Sequence, residues 1–332
     1  MKIFATEKGI TPGKNITAEL TALFKELAKT DEPKELIFEP GEYFISSEKC
    51  DTEMLFITNT VGDDEFKAGG TPHKAAVAFN LKNSKNLTIQ GSGATFVIGG
   101  KVTNMAVQCC ENIVIAGLAF KTLNPDFHEM KVVRKTAFTV DFELRGDSMY
   151  EENINVKGHS FTSSDYRLDF FANRNHWGYL HKIFADDKNH VIRVKHPFFT
   201  ALSVKETGHN LFRVRYPNTS RFTVGETYGI YDAIRQYNGI FIDRSKNIVL
   251  KQVKQYFNHG LALVCQDTEN LTVDGVFFAP EPGSGRFIAS CADFMQVCMC
   301  KGVVSITNST FEGAGDDCLN VHGIHFSVVK IT

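Results

Sequence analysis

The sequence predicts an all-β fold: a right-handed parallel β-helix with a short N-terminal capping helix and an inserted antiparallel, β-barrel-like module. Three observations carry this reading. A short Asn-apolar motif recurs at a nearly constant interval, its copies are β-branched and flanked by polar turns, and one long stretch lacks it. Lys85-Asn86-Leu87-Thr88-Ile89-Gln90-Gly91 returns as Glu111-Asn112-Ile113-Val114-Ile115-Ala116-Gly117. It returns again as Lys246-Asn247-Ile248-Val249-Leu250 and as Glu269-Asn270-Leu271-Thr272-Val273-Asp274-Gly275. A looser copy runs from Lys301-Gly302 to Asn308. The intervals are 112 − 86 = 26 and 270 − 247 = 23 residues. Such a period marks a solenoid. Strands this short bury their apolar face only by stacking at ~4.8 Å on the coils above and below.

The elements follow in order. Leu20, Leu23, Phe24 and Leu27 recur at the i, i+3, i+4, i+7 spacing of an amphipathic helix, with Asn15 or Thr17 as its cap and Pro33 beyond its end. A short helix there shields the open end of a stack of strands. Glu35 to Ile45 reads as strand, Pro40-Gly41 turn, strand. The coils then run to about residue 134. From 135 to 231 the coil spacing gives way to alternating strands, including Thr136–Phe142, Tyr166–Phe171, Val191–Val194 and Leu211–Val214. Residues 232–332 resume the coils. The predicted organisation is therefore 1–134, 135–231 and 232–332.

Composition narrows the function. The 332 residues are 43% hydrophobic and 22% charged, with 36 basic and 38 acidic residues and a net charge of −2. No basic stripe supports binding to nucleic acid or an anionic membrane. No apolar run reaches the ~20 residues of a membrane span, and Met1–Glu7 has no signal-peptide core, so the expected location is cytoplasmic, or secreted where a signal segment has been removed. Eight cysteines sit mostly in apolar runs, and Cys298-Met299-Cys300 is too tight for a zinc pair. Reduced thiols and no metal are expected. The 28 phenylalanines suit a long core of stacked rings.

The chemistry concentrates in Gly315-Asp316-Asp317-Cys318-Leu319-Asn320-Val321-His322-Gly323, read with Asp293. The interval 316 − 293 = 23 equals one coil, which brings three acids to one surface. Glycosidic hydrolysis needs paired carboxyl groups, one to protonate the leaving oxygen and one to act on the opposite face. Like charges crowded together favour retention of one proton among them. Asp293 is assigned as acid and Asp316 with Asp317 as the water-activating pair; the reverse polarity stays open. His322, Asn320, Arg286 and Gln296 are the candidate sugar-binding residues. Asn320 could equally belong to an Asn ladder, and Arg286, in Gly283-Ser284-Gly285-Arg286, could be a solvated loop residue. Asp232 and Arg235 are weaker candidates, and Trp177 with His176 and Tyr179 is either a stacking platform or module packing. The acid trio also suits calcium, as in a lyase, but no further ligands are spaced around it.

These residues resemble a family. The Asn-turn coils, Pro40-Gly41-Glu42-Tyr43, Gly239-Ile240-Phe241-Ile242, Pro282-Gly283-Ser284-Gly285-Arg286, Ala292-Asp293, Cys300-Lys301-Gly302 and Asp316-Asp317 through Gly323 look like glycoside hydrolase family 110. The resemblance implies an exo-acting α-1,3-galactosidase on a β-helix with an inserted barrel. It further implies inversion of configuration, a carbohydrate partner and no organic cofactor. The sequence departs from the family pattern at Gln296, where a His is usual, and at Thr332, beyond which the family continues for further coils. The sequence thus reads as part of a longer protein. A polygalacturonase-like hydrolase (glycoside hydrolase family 28) and a non-catalytic glycan-binding β-helix are the alternatives.

Overall fold

The computed structural model describes residues 1–58, 73–123, 125, 127–146, 151–155, 158–162, 167–169, 180–183, 191–194, 200–231 and 237–323. Trp177, His176, Tyr179, Asp232 and Arg235 lie outside the described residues. The described chain is mostly strand, with one α-helix, and no helix among the described residues is long and apolar enough to cross a membrane.

The recurring motif is the edge of a parallel sheet. Lys85–Gly99, Glu111–Thr122, Lys246–Lys251, Glu269–Asp274 and Lys301–Thr307 stack in that order, with Leu87, Ile113, Ile248, Leu271 and Val304 in register. The strands Glu111–Thr122 and Lys246–Lys251 are neighbours although 135 residues separate Asn112 from Asn247. The intervening chain leaves and returns without disturbing the ladder. A second parallel ladder joins His73–Lys82, Thr103–Gln108, Ile240–Asp243, Leu263–Gln266, Met295–Cys298 and Leu319–His322. Alternate residues of its strands, such as Phe79, Met105, Ile240, Leu263 and Met295, point into the core shared with the first sheet.

The turn between the ladders explains the repeat. Each copy has four residues: Asn83-Ser84-Lys85-Asn86, Cys109-Cys110-Glu111-Asn112, Arg244-Ser245-Lys246-Asn247, Asp267-Thr268-Glu269-Asn270 and Met299-Cys300-Lys301-Gly302. The first and fourth residues all have positive φ, from 44° at Asp267 to 71° at Gly302. Asn tolerates that conformation better than most L-residues. The amides also form a ladder: Asn112 Nδ2 donates to Asn86 Oδ1, Asn247 to Asn112 and Asn270 to Asn247, each at 2.9 Å. Gly302 ends it because a Cβ there would stand 2.3 Å from Asn270 Oδ1, which instead accepts the Val303 N–H at 3.0 Å. In four of these five turns the second residue is a small donor that satisfies a turn carbonyl: Ser245 Oγ bonds Asp243 O, Thr268 Oγ1 bonds Gln266 O, the Cys110 thiol bonds Gln108 O and the Cys300 thiol bonds Cys298 O. The third residue alternates in charge, and Lys246 and Lys301 flank Glu269 at 3.2 and 3.8 Å.

The N-terminal helix spans Thr17–Leu27 and buries Leu20, Leu23, Phe24 and Leu27. Asn15 Oδ1 accepts the Thr17 amide at 3.2 Å, fixing the entry, while Thr17 Oγ1 accepts Ser46 N from a neighbouring strand. Phe24 meets Phe79, which continues through Phe96 to Phe120 at ring spacings of 4.8–5.7 Å. The phenylalanine excess is thus used in cross-coil stacks.

The intervening chain forms a separate antiparallel sheet. Its seven strands run Val191–Val194, Leu180–Ile183, Thr227–Tyr231, Phe127–Lys135, Thr139–Leu144, Leu211–Arg215 and Ser203–Gly208. One face has its own core, including Met130, Val140, Phe142, Phe212, Tyr216 and Phe222. The sheet takes in Phe127–Lys135, so its first strand lies on the N-terminal side of residue 135.

The Asn ladder is testable. Asn247→Ala removes two amide bonds and puts a Cβ-bearing residue with no side-chain polar group at φ 55°. The expected loss is about 2 kcal/mol, and Asn247→Gly, which tolerates the φ, should lose about half as much. Guanidinium unfolding midpoints measure both; equal losses would mean that the backbone conformation contributes nothing.

Candidate functional site

Backbone register assembles the acids. Met295 pairs with Leu319, and just before it Phe294 N bonds Asp317 O at 2.9 Å. The offset of 319 − 295 = 24 sets Asp293 opposite Asp317, one residue beyond the 23-residue interval seen in the sequence, with Asp316 beside it. Bridges linking Asn258, Ser290 and Ala314 stack the preceding turns. Ser290 Oγ donates to Gly260 O at 2.7 Å, and Ala262 N donates to Asp293 O at 3.1 Å. Gly315 permits the close approach: a Cβ there would lie 2.6 Å from Cys291 O.

One carboxylate oxygen each from Asp293, Asp316 and Asp317 fall within 4.8 Å of one another. The three differ in environment. Asp293 is 2% exposed, and Asn320 Nδ2 donates to its Oδ2 at 3.4 Å. Asp316 and Asp317 are open to solvent. A buried carboxyl group beside two wet ones can exchange a proton with a bound ligand while a water approaches from the open side. The same oxygens can converge on a hard cation, which would need several more oxygen ligands.

The other sequence candidates lie in different settings. Asn320 joins the acids through Asp293. His322 is two residues further along the same strand face, where its Nδ1 donates to Gly323 O at 2.6 Å in the tautomer that carries that proton. Gln296 pairs with Asn320 in register, but it is 0% exposed and its Nε2 donates to Thr58 O at 3.3 Å. The chain at 56–58 crosses this face, held also by Gln266, which accepts from Thr58 N and donates to Phe56 O. Arg286 Nη1 donates to Phe127 O at 3.1 Å, and its guanidinium lies 5.8 Å from the Phe257 ring. It anchors the 283–287 loop to the antiparallel sheet.

Sequence reading missed Glu129. Its carboxylate is 3% exposed and accepts Phe287 N at 3.0 Å and Ile288 N at 3.2 Å. Burial pushes its pKa up, while Arg286, the two amides and Arg145 pull it down. The local sequence carried little signal, because Glu129 stands among His128 and Lys131 as well as the apolar Phe127, Met130 and Val132. Beside it lies a cavity of ≈ 330 Å³ bordered by Lys131, Glu143, Arg145 and Phe287.

The chain is similar to curated proteins along nearly its whole length. It is 29% identical to alpha-1,3-galactosidase A of Bacteroides thetaiotaomicron over 322 residues, 96% of this chain and 54% of that protein. It is 30% identical to the protein of the same name from Bacteroides fragilis over 334 residues, 99% of this chain and 52% of the relative. The protein of that name from Streptomyces avermitilis is 27% identical over 94% of this chain. The chain spans about half the length of the curated relatives it matches. No family model matches it. These similarities agree with the resemblance to glycoside hydrolase family 110 read from the sequence.

Two substitutions test the local account. Gly315→Ala should cost about 1–3 kcal/mol through overpacking against Cys291 O, read as a lower melting temperature. Arg286→Gln should cost on the order of 2 kcal/mol at neutral pH, below the ~3–5 of a fully buried pair because Arg286 is half-exposed. Burial already raises the folded-state pKa of Glu129 above its unfolded value, so its ionised form opposes folding. Losing Arg286 strengthens that opposition, and the deficit should shrink as pH falls and Glu129 takes up its proton. A deficit equal at neutral and acidic pH would contradict the charge pairing.

Proposed function

We propose that this chain carries the catalytic surface of an exo-acting glycoside hydrolase that removes terminal α-1,3-linked galactose. The scaffold is read as a right-handed parallel β-helix, capped by the helix Thr17–Leu27 and interrupted by the antiparallel module. The observation that carries the reading is the convergence of Asp293, Asp316 and Asp317 within 4.8 Å. Relatives named alpha-1,3-galactosidase supply the substrate class.

The reaction is derived from the asymmetry of the trio. Asp293, buried and held by Asn320, faces the glycosidic oxygen and gives it a proton as the bond to the anomeric carbon breaks. Asp316 and Asp317, on the wet side, take a proton from the water that attacks that carbon. His322 and Asn320 are placed on the same strand face to contact sugar hydroxyls. Gln296 supports that face through Thr58.

The resemblance gives inversion. The close grouping of the three acids, one oxygen of each within 4.8 Å of the others, motivates a second reading, retention, in which a carboxylate of a pair ~5–5.5 Å apart, rather than the ~6.5–9.5 Å of inverting pairs, attacks the anomeric carbon itself. Hydrolysis of an aryl α-galactoside and of an α-1,3-digalactoside, followed by proton NMR, separates the two. Release of β-galactose first supports inversion; release of α-galactose first supports retention. Asp293→Asn, Asp316→Asn and Asp317→Asn should each lower turnover by about 10²–10⁴-fold with the fold intact. Folded variants with unchanged turnover would exclude the trio.

A further inference from the structure

We propose that Cys265 and Cys300 form a site of reversible thiol–disulfide modification. The two sulfurs lie 3.5 Å apart. Cys300 holds the small-donor position of the fifth turn, occupied by Ser84, Cys110, Ser245 and Thr268 in the others. Its thiol bonds Cys265 O at 3.4 Å and Cys298 O at 3.6 Å. The core column beneath these turns runs Leu81, Val107, Ile242, Cys265 and Val297. Among the described residues, this is the turn at which sulfur meets sulfur. Cys110, the other turn thiol, sits over Leu81 O instead.

The two thiols have unequal access. Cys265 is 0% exposed, whereas Cys300 is partly open. The hydrogen bond between the two thiols lowers the Cys300 pKa and raises that of Cys265, so Cys300 is the more readily ionised. The oxidant is a low-molecular-weight disulfide. The Cys300 thiolate attacks one of its sulfurs, its S–S bond breaks, and one thiolate leaves and takes a proton. Cys265, giving its proton to solvent, then attacks the Cys300 sulfur and expels the second thiolate. Two protein thiols are oxidised and one disulfide is reduced to two thiols. The closed loop spans 35 residues and contains Asp293, so the bond ties both ends of the acid-bearing turn. This inference does not rest on the hydrolase reading.

The test uses the full chain with Cys109→Ser and Cys318→Ser, which remove the two exposed thiols. The protein is incubated with oxidised glutathione under conditions that preserve its circular dichroism and melting transition. It is then alkylated and mapped by mass spectrometry. The expected product is a Cys265–Cys300 cross-linked peptide that disappears on reduction. Adding Cys265→Ser should stop the reaction at a glutathione adduct on Cys300, and adding Cys300→Ser should leave Cys265 unmodified. An adduct that persists on Cys300 with Cys265 present, a different cysteine pair, or no reaction in the folded protein would each overturn the proposal.

Discussion

Every coil of the two parallel ladders has to turn at the same height as its neighbours, and this constraint governs the molecule. A parallel strand that slips by one residue moves all its side chains to the opposite face. The four-residue turn prevents this at several levels. Its two left-handed positions fix the direction of the chain, and the Asn amides bond from one coil to the next at 2.9 Å. The small donor between them satisfies carbonyls inside the turn, where water is excluded. The ladder is indifferent to sequence distance, which is why Asn112 and Asn247 bond across the antiparallel module as Asn247 and Asn270 do across 23 residues.

The acid cluster is a consequence of that register. Asp293 and Asp317 precede strands whose pairing is fixed from Met295 to Cys298, so their relative height is set by backbone bonds. Gly315 lets the chain press against Cys291 O, bringing Asp316 in beside them. The burial of Asp293 follows from its place one coil inside its partners. Backbone geometry therefore distinguishes one carboxylate from the other two before any substrate is considered, and the proposed acid and base roles follow that distinction.

Much of this was legible in the sequence, for a physical reason. Left-handed turns with an amide ladder demand Asn, so Asn86, Asn112, Asn247 and Asn270 mark the first ladder directly. The second ladder has no such marker: Ala106, Phe241, Val264 and Gln296 share a register but no residue type. Contacts between distant segments were also invisible. Gln296 reads as an exposed polar residue until Thr58, 238 residues away, crosses it. Arg286 reads as a free loop arginine until Glu129 and Phe127 meet it from the antiparallel sheet. The one-residue difference between 23 and 24 arose because coil length varies along one ladder: the second advances 263 − 240 = 23 residues from Ile240 to Leu263 but 319 − 295 = 24 from Met295 to Leu319.

The central claim is that coil register builds a sugar-cleaving site from three acids. A crystal structure of the Asp316→Asn variant soaked with an α-1,3-digalactoside tests it most directly. The account predicts the terminal galactose on the strand face of Asn320 and His322, with its glycosidic oxygen in hydrogen-bond reach of Asp293. A disaccharide bound only elsewhere, such as the cavity beside Glu129, would contradict it.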